Sequence, residues 1–409
     1  MICAREFSMK NIGLFLLFLV CARQAAADEN NVQLYGMVNS GMTYISNGAG
    51  GSSVRTDGCG PQGCNRWGLR GRESLGDGLS SLFVLESGFN LQNGKSGQGG
   101  LMFGRQAYVG LANQRYGTLT LGRQYDSLSD TVGMFPSSNN FATGYGSHFG
   151  DLNNLNQSIR INDAVKYVSP EFGGLRMHGM YSFGGQFGNY AANRSWALAT
   201  AYTSGPLSMA IGYLDIHPPA TRANGTGGVY ESNGNYVGSL GQYVGLQDAD
   251  AMKVIGAGAS YTVGAATIGF TYAHTLLRNS RYFVVNGFPG AGSGGDFTMD
   301  SYELMTSYRL NSALSVGAAY IYNIGKADYQ GLRPKFHQIN LGASYSLSKR
   351  TELYGVFIFQ KAAGDGIAPL RGAAGAVIGR AAQAEIAGVG MSSDSSRQTL
   401  MTMGITHRF

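Results

Sequence analysis

Charge is scarce in this chain: only 13 % of its 409 residues are Asp, Glu, Lys or Arg, against a usual share of about 25 %. That shortage excludes a disordered solvating tail and a coiled coil, both of which depend on charged residues. Long apolar runs are missing too. The longest near-unbroken stretch, 13–22, is about half the ~20 residues that a membrane-crossing helix needs. No Lys/Arg-rich stripe of the kind that marks a nucleic-acid interface is present. Cysteine is limited to four residues and tryptophan to two, whereas Gly reaches 63, Tyr 24 and Phe 20, within an apolar fraction of 44 %. Glycine and aromatics in a weakly charged chain suit many β-strands joined by turns.

The N-terminus reads as an export signal: a basic start, the apolar segment 12–22, and Ala25, Ala26 and Ala27 before the polar Asp28. Cleavage is expected after Ala27, which divides the chain into a 1–27 signal peptide and a single 28–409 domain. Met9 followed by Lys10 makes a more ordinary start than Met1. Cys21 leaves a lipoprotein signal as the alternative, disfavoured by the bulky Phe18-Leu19-Val20 before it. Loss of Arg5, Lys10, Arg23 and Glu6 with the signal takes the formal charge from +6 to +4. Cys3 and Cys21 leave as well, so the mature chain keeps only Cys59 and Cys64, around a Gly-Pro-Gln-Gly loop. An exported pair this close together reads as a loop disulfide, because a metal site would need more ligands than the neighbourhood supplies.

From Val32 onward apolar and polar residues alternate. Val32, Leu34, Val38, Met42 and Tyr44 share one face of the first run, and Gln33, Tyr35, Asn39 and Thr43 the other. The same pattern sets Val165 and Tyr167 against Asn162 and Lys166, and Leu314, Val316, Tyr320 and Tyr322 against Ser315 and Asn323. Sixteen such runs are expected, at 32–46, 65–73, 79–92, 101–112, 117–125, 159–169, 174–185, 194–204, 207–217, 250–263, 266–278, 297–310, 313–326, 335–347, 351–362 and 397–409. Alternation is irregular near Arg105 and Arg123. Short turn-like links (74–78, 204–206, 264–265, 311–312) interleave with long ones (47–64, 126–158, 218–249, 279–296, 363–396), which places all the long links on one rim.

An even number of amphipathic strands with short turns at one end and long loops at the other is the pattern of an outer-membrane barrel. Strands in lipid cannot leave backbone N–H and C=O groups unpaired, so the sheet must close on itself. At a tilt of ~40° runs of this length cross a hydrophobic band of ~25 Å. Sixteen strands enclose a lumen too wide for side chains to fill, which leaves water inside. The competing architecture, a soluble β-sandwich, would need a second sheet over the apolar face. The fold class expected is therefore all-β, a 16-stranded antiparallel transmembrane barrel.

The segments VQLYG (32–36), NRWGLRG (65–71), LESGF (85–89), FGRQAYVG (103–110), LGRQY (121–125), VKYVSP (165–170), YSLSKR (345–350) and THRF (406–409) together closely resemble the trimeric general-diffusion porins of Gram-negative bacteria, in their β-proteobacterial version. The resemblance covers nearly the whole mature chain. It implies a homotrimer in outer-membrane lipid and lipopolysaccharide, with short periplasmic turns and long extracellular loops. It also implies a terminal Phe409 read by the barrel-assembly machinery; Met401, Met403, Ile405, His407 and Phe409 share one face of that last run.

In such porins the third loop folds inward and opposes its acidic residues to a basic wall. Here that link is 126–158, with Asp126, Asp130 and Asp151 as acidic candidates. Arg66, Arg70 and Arg72 alternate on one face of the second run, and Arg105, Arg160 and Lys166 lie on neighbouring runs. Glu86, with Glu73, is the wall carboxylate able to partner them. Arginine suits such a wall because its guanidinium stays charged at any physiological pH and its fork is rigid. The basic excess predicts passive diffusion of ions and small hydrophilic solutes with weak to moderate anion preference.

Enzyme motifs are absent. Asn93-Gly94-Lys95-Ser96 lacks the upstream glycine of a phosphate loop at the right distance and joins two alternating runs rather than a strand and a helix. The six His show no H-E-x-x-H spacing and no G-x-S-x-G elbow occurs. No catalytic residue, cofactor, metal or nucleic-acid partner is expected. The alternatives are a substrate-selective channel, an adhesin using loops 218–249 and 363–396, and a barrel-embedded lipid hydrolase with a spatially assembled Ser-His pair.

Overall fold

The computed structural model describes residues 31–48, 50–184, 193–217, 243, 245–246, 248–390 and 393–409. The export segment expected at 1–27, with Cys21, and most of the 218–249 link lie outside the described residues.

Sixteen strands form the wall: β1 (Asn31–Gly48), β2 (Arg66–Gly76), β3 (Leu79–Gly88), β4 (Gln106–Asn113), β5 (Gly117–Gln124), β6 (Ile161–Val168), β7 (Leu175–Ser182), β8 (Ser195–Ser204), β9 (Leu207–Ile216), β10 (Ala251–Val263), β11 (Ala266–Ser280), β12 (Gly295–Arg309), β13 (Leu314–Ala327), β14 (Pro334–Ser346), β15 (Thr351–Gly364) and β16 (Arg397–Arg408). Each is antiparallel to the next. The last strand returns to the first, from Met37 opposite Arg408 to Ile45 opposite Leu400. Closure pairs the backbone groups an open sheet would leave at its edges, as a lipid-embedded sheet requires. The chain end is stitched in: Gly36 and Phe409 exchange two backbone hydrogen bonds, of 3.2 and 3.1 Å. A Cβ at Gly36 would lie 2.5 Å from the Phe409 ring, so only glycine admits that ring.

Side-chain placement is inverted relative to a soluble protein. Outward residues are apolar and uncovered, with Leu34 57 %, Ile211 55 % and Met403 68 % exposed, while inward Asn39, Gln338, Asn340 and Gln360 are buried. Apolar surface left in water costs about 25 cal/mol per Å²; against hydrocarbon that cost vanishes, which is why the same alternation is stable only in a membrane.

The long links are less irregular than their composition suggests. Within 47–64, Gly51–Asp57 forms a strand that pairs with the upper half of β1, and Cys59–Gly60 pairs with Gly63–Cys64 across a disulfide. The irregular alternation near Arg123 has a cause: the β5/β6 register shifts between Gly122 and Gln124, and Gly122 has φ +133°. Conventional apolar packing occurs among the loops in the upper lumen. There Phe149 stacks on Phe336 with ring centroids 3.9 Å apart, and Tyr243 meets Phe149 edge-on at 5.1 Å.

Candidate functional site

The link between β5 and β6, loop 3, enters the barrel instead of crossing its mouth. Asp126 starts the turn by capping the short helix Ser127–Thr131, accepting from the Ser129 amide at 2.9 Å and from Asn154 Nδ2 at 2.7 Å. Leu128, Val132 and Phe135 then lie on the wall where β9 and β10 present inward glycines. A Cβ at Gly212 would stand 3.0 Å from Leu128, and one at Gly258 only 2.3 Å from the Phe135 ring. Gly317 on β13 receives Phe141 in the same way, also at 2.3 Å. Polar wall residues fix the rest. Glu303 accepts from the Ser137 amide at 2.8 Å and faces His148 Nε2 at 2.9 Å, while Asn340 Nδ2 donates to Ser137 Oγ and the Gly146 carbonyl.

Loop 3 thus leans on β9–β14, and the open space is left on the other side, against β2–β4. That space measures about 610 Å³. Four guanidinium groups line it: Arg55 from the first loop, Arg66 from β2, Arg105 just before β4 and Arg160 just before β6. Asp57 and Asp151 are the carboxylates on its lining. Glu86 stands behind, with Oε1 2.7 Å from Arg105 Nε, Oε2 3.9 Å from Arg66 Nε, and a 3.0 Å hydrogen bond from Tyr35. Arg160 lies over the Tyr125 ring at 5.3 Å and donates to the Ser158 carbonyl at 3.1 Å. Arg55 donates to Tyr145 of loop 3 at 3.0 Å and to the Val389 carbonyl of the last loop at 3.1 Å.

Of the residues singled out from sequence, Arg66, Arg105, Arg160 and Asp151 meet at this aperture, with Glu86 behind them. Arg70 and Arg72 continue down the inner face of β2 toward the short-turn rim. Arg70 donates to Gln33 at 2.7 Å and covers Tyr35, while Arg72 is exposed. Lys166 closes on Asp130 at 2.6 Å and on the Tyr125 carbonyl at 3.0 Å. Asp126 is consumed as a cap. Asp151 is folded into its own loop, accepting from Asn156, Ser158 N–H and Ser158 Oγ. Burial raises the Asp151 carboxyl above the usual range and pushes Asp126 up to about 6. The loop acids are therefore committed to loop 3 itself and to Lys166. Arg55, the Cys59–Cys64 hairpin and the Ala387–Gly388 edge of the last loop were not foreseen, because only tertiary folding brings those loops inside.

Residues 13–364 match the Gram-negative porin family. The chain belongs to that family. An outer membrane porin protein of Bordetella pertussis is 30 % identical over 374 residues, covering 85 % of this chain and 93 % of its own. Outer membrane porin protein 32 of Delftia acidovorans is 28 % identical, covering 97 % and 99 %. Among solved structures, an anion-selective porin from Comamonas acidovorans superposes with a TM-score of 0.66 at 24 % identity, covering 93 % of this chain and all of its own. The porin is an outer-membrane barrel whose lumen is a diffusion channel. Its long-loop rim faces outside the cell and its short turns face the periplasm.

Proposed function

We propose that this porin passes ions and small hydrophilic solutes through the aperture between loop 3 and β2–β4, with preference for anions and without any chemical step. The observation that carries this reading is the imbalance at the aperture: four guanidinium groups against two lining carboxylates, with one further carboxylate shared by Arg66 and Arg105. A unit charge 5 Å from an ion in water contributes ~0.8 kcal/mol, a factor of about four in local ion concentration, so a surplus of one or two charges biases passage without forbidding the counter-ion. The name of the Comamonas structure agrees with that sign.

Arg66, Arg105, Arg160 and Arg55 form the basic side. Arg70 and Arg72 extend a positive track toward the periplasm, and the Lys166–Asp130 pair braces loop 3. The working unit in this reading is a homotrimer in outer-membrane lipid and lipopolysaccharide, with the Phe409 terminus presented to the barrel-assembly machinery. Signal cleavage after Ala27 precedes assembly. The test is planar-bilayer recording of refolded protein in a salt gradient. Large ohmic steps and a reversal potential on the chloride side support the reading; a reversal potential on the potassium side contradicts it.

A further inference from the structure

The aperture carries a reactive bond that the passage of ions does not use. In the short hairpin of the first loop Cys59 stands opposite Cys64 and Gly60 opposite Gly63, and a disulfide joins the cysteines. Neighbouring residues of a strand face opposite sides, so one side of this ladder is glycine and the other is sulfur. The glycine side goes to the wall. A Cβ at Gly60 would stand 2.5 Å from Asn39 Oδ1 and 2.7 Å from Thr406 Oγ1, so any side chain there would hold the hairpin off β1 and β16. The disulfide is thereby turned toward the water, and both half-buried cysteines line the aperture.

Stapling the hairpin does not call for that exposure, because other ties hold it in place. Asn39 Nδ2 donates to the Gly63 carbonyl at 3.0 Å, the Asn65 amide donates to the Gly58 carbonyl at 3.1 Å, and Arg408 donates to Gln62 Oε1. A hairpin whose disulfide is opened therefore keeps its seat on the wall.

The surroundings of the bond are basic. Arg55 and Arg66 line the same space, and the Arg66 guanidinium rests on the hairpin, with Nη1 3.0 Å from where a Cβ of Gly63 would stand. The two lining carboxylates are engaged: Asp57 with Arg55 at 3.7 Å, and Asp151 within its own loop. Disulfides exchange by attack of a thiolate, and a cationic neighbour both draws the thiolate in and eases departure of the thiolate displaced.

We propose that Cys59–Cys64 is a reversible exchange site for small anionic thiols that enter the channel. The incoming thiolate attacks Cys59 Sγ and forms a new S–S bond; the Cys59–Cys64 bond breaks, and its electron pair leaves on Cys64 Sγ, the sulfur next to the Gly63 backbone on which Arg66 rests. The Cys64 thiolate reverses the step by attacking Cys59 Sγ and expelling the thiol, so no outside oxidant or reductant is consumed. While the adduct lasts, the thiol's own charge stands in the aperture. The site rests on the reading of this aperture as the solute path.

The test compares two thiols of equal length and opposite terminal charge, 2-mercaptoethanesulfonate and cysteamine, on the full barrel. Opening of the disulfide in detergent is followed by intact mass, and each rate is divided by the same thiol's rate on a neutral small disulfide. At low salt the sulfonate thiol is expected to be favoured about tenfold, from two units of charge difference acting near a basic surplus, and the preference should fall toward one in about 1 M potassium chloride. Arg55→Gln with Arg66→Gln should remove it, and the adduct should map to Cys59. In planar bilayers the sulfonate adduct should lower the chloride-to-potassium permeability ratio about two- to fourfold and the cysteamine adduct should raise it, with neither shift in Cys59→Ser with Cys64→Ser. Equal normalised rates for the two thiols overturn the proposal, as do an adduct on Cys64, a disulfide that neither thiol opens, or a permeability shift that survives in the double serine variant. The reversal potential before any thiol is added judges the channel reading separately.

Discussion

Arg105 Nε lies 2.7 Å from Glu86 Oε1, and the same carboxylate stands 3.9 Å from Arg66, so two guanidinium groups at the aperture share one negative charge. Glu86 orients the pair and mutes its field. Replacing it by Gln keeps the shape and most of the hydrogen bonding while removing the charge. Glu86→Gln is expected to raise the chloride-to-potassium permeability ratio by about two- to fourfold at low salt, the size of one unit charge at about 5 Å. Reversal potentials in a tenfold salt gradient measure it, and an unchanged ratio would show that Glu86 has no hold on the pore field.

The glycines behind loop 3 set how far the loop stands from the wall. A Cβ at Gly258 would meet the Phe135 ring at 2.3 Å, a clash that costs about 1–3 kcal/mol if the loop stays in place. Gly258→Leu should instead push loop 3 toward β2–β4 and lower single-channel conductance, with the barrel still folded. Conductance equal to the parent's would mean that the loop yields elsewhere.

The disulfide holds a hairpin whose Gly63 carbonyl accepts from Asn39 of the wall at 3.0 Å and whose Gln62 carbonyl faces Arg66 at 3.5 Å. Cys59 and Cys64 both line the aperture. Reduction by a water-soluble phosphine is expected to increase open-channel current noise, and Cys59→Ser with Cys64→Ser to show the same noise without reductant. Quiet currents in both would detach the hairpin from the pore.

Asp126 supplies a pH dependence of definite sign. Burial holds its carboxyl up to about 6 in the folded protein, above its usual 3.8. The folded state therefore binds the extra proton, and the stability of loop 3 is highest below about pH 4 and falls as pH rises through 6. Hydrogen exchange at the Ser129 amide, which Asp126 caps, should quicken between pH 4 and 6 beyond the intrinsic rate, and Asp126→Asn should abolish the excess. A loop that tightens across that range would contradict the sign.

The strand count and the inward or outward facing of each strand were legible because lipid and water impose a strict period of two. Where the chain leaves the membrane, that constraint ends and so does the pattern. The strand expected at 101–112 runs 106–113, and Gly51–Asp57 lay hidden within an apparent loop. Arg66, Arg70 and Arg72 do share the inner face, but alternation cannot place heights along the barrel. Arg70 stands four residues, roughly 13 Å, below Arg66 and meets Gln33 instead of the aperture. Arg55 was invisible for a different reason: its position depends on the first loop folding inward onto Tyr145 and Val389. Likewise nothing local in Asp126 or Asp130 distinguishes a capping or lysine-paired carboxylate from one facing the pore.

The most direct measurement is the reversal potential of the parent against a triple variant, Arg66→Gln with Arg105→Gln and Arg160→Gln, in the same potassium chloride gradient. The parent should favour chloride, and the variant, left with Arg55 against Asp57, Asp151 and Glu86, should cross to potassium. Two proteins with the same reversal potential would place the selecting field somewhere other than this aperture.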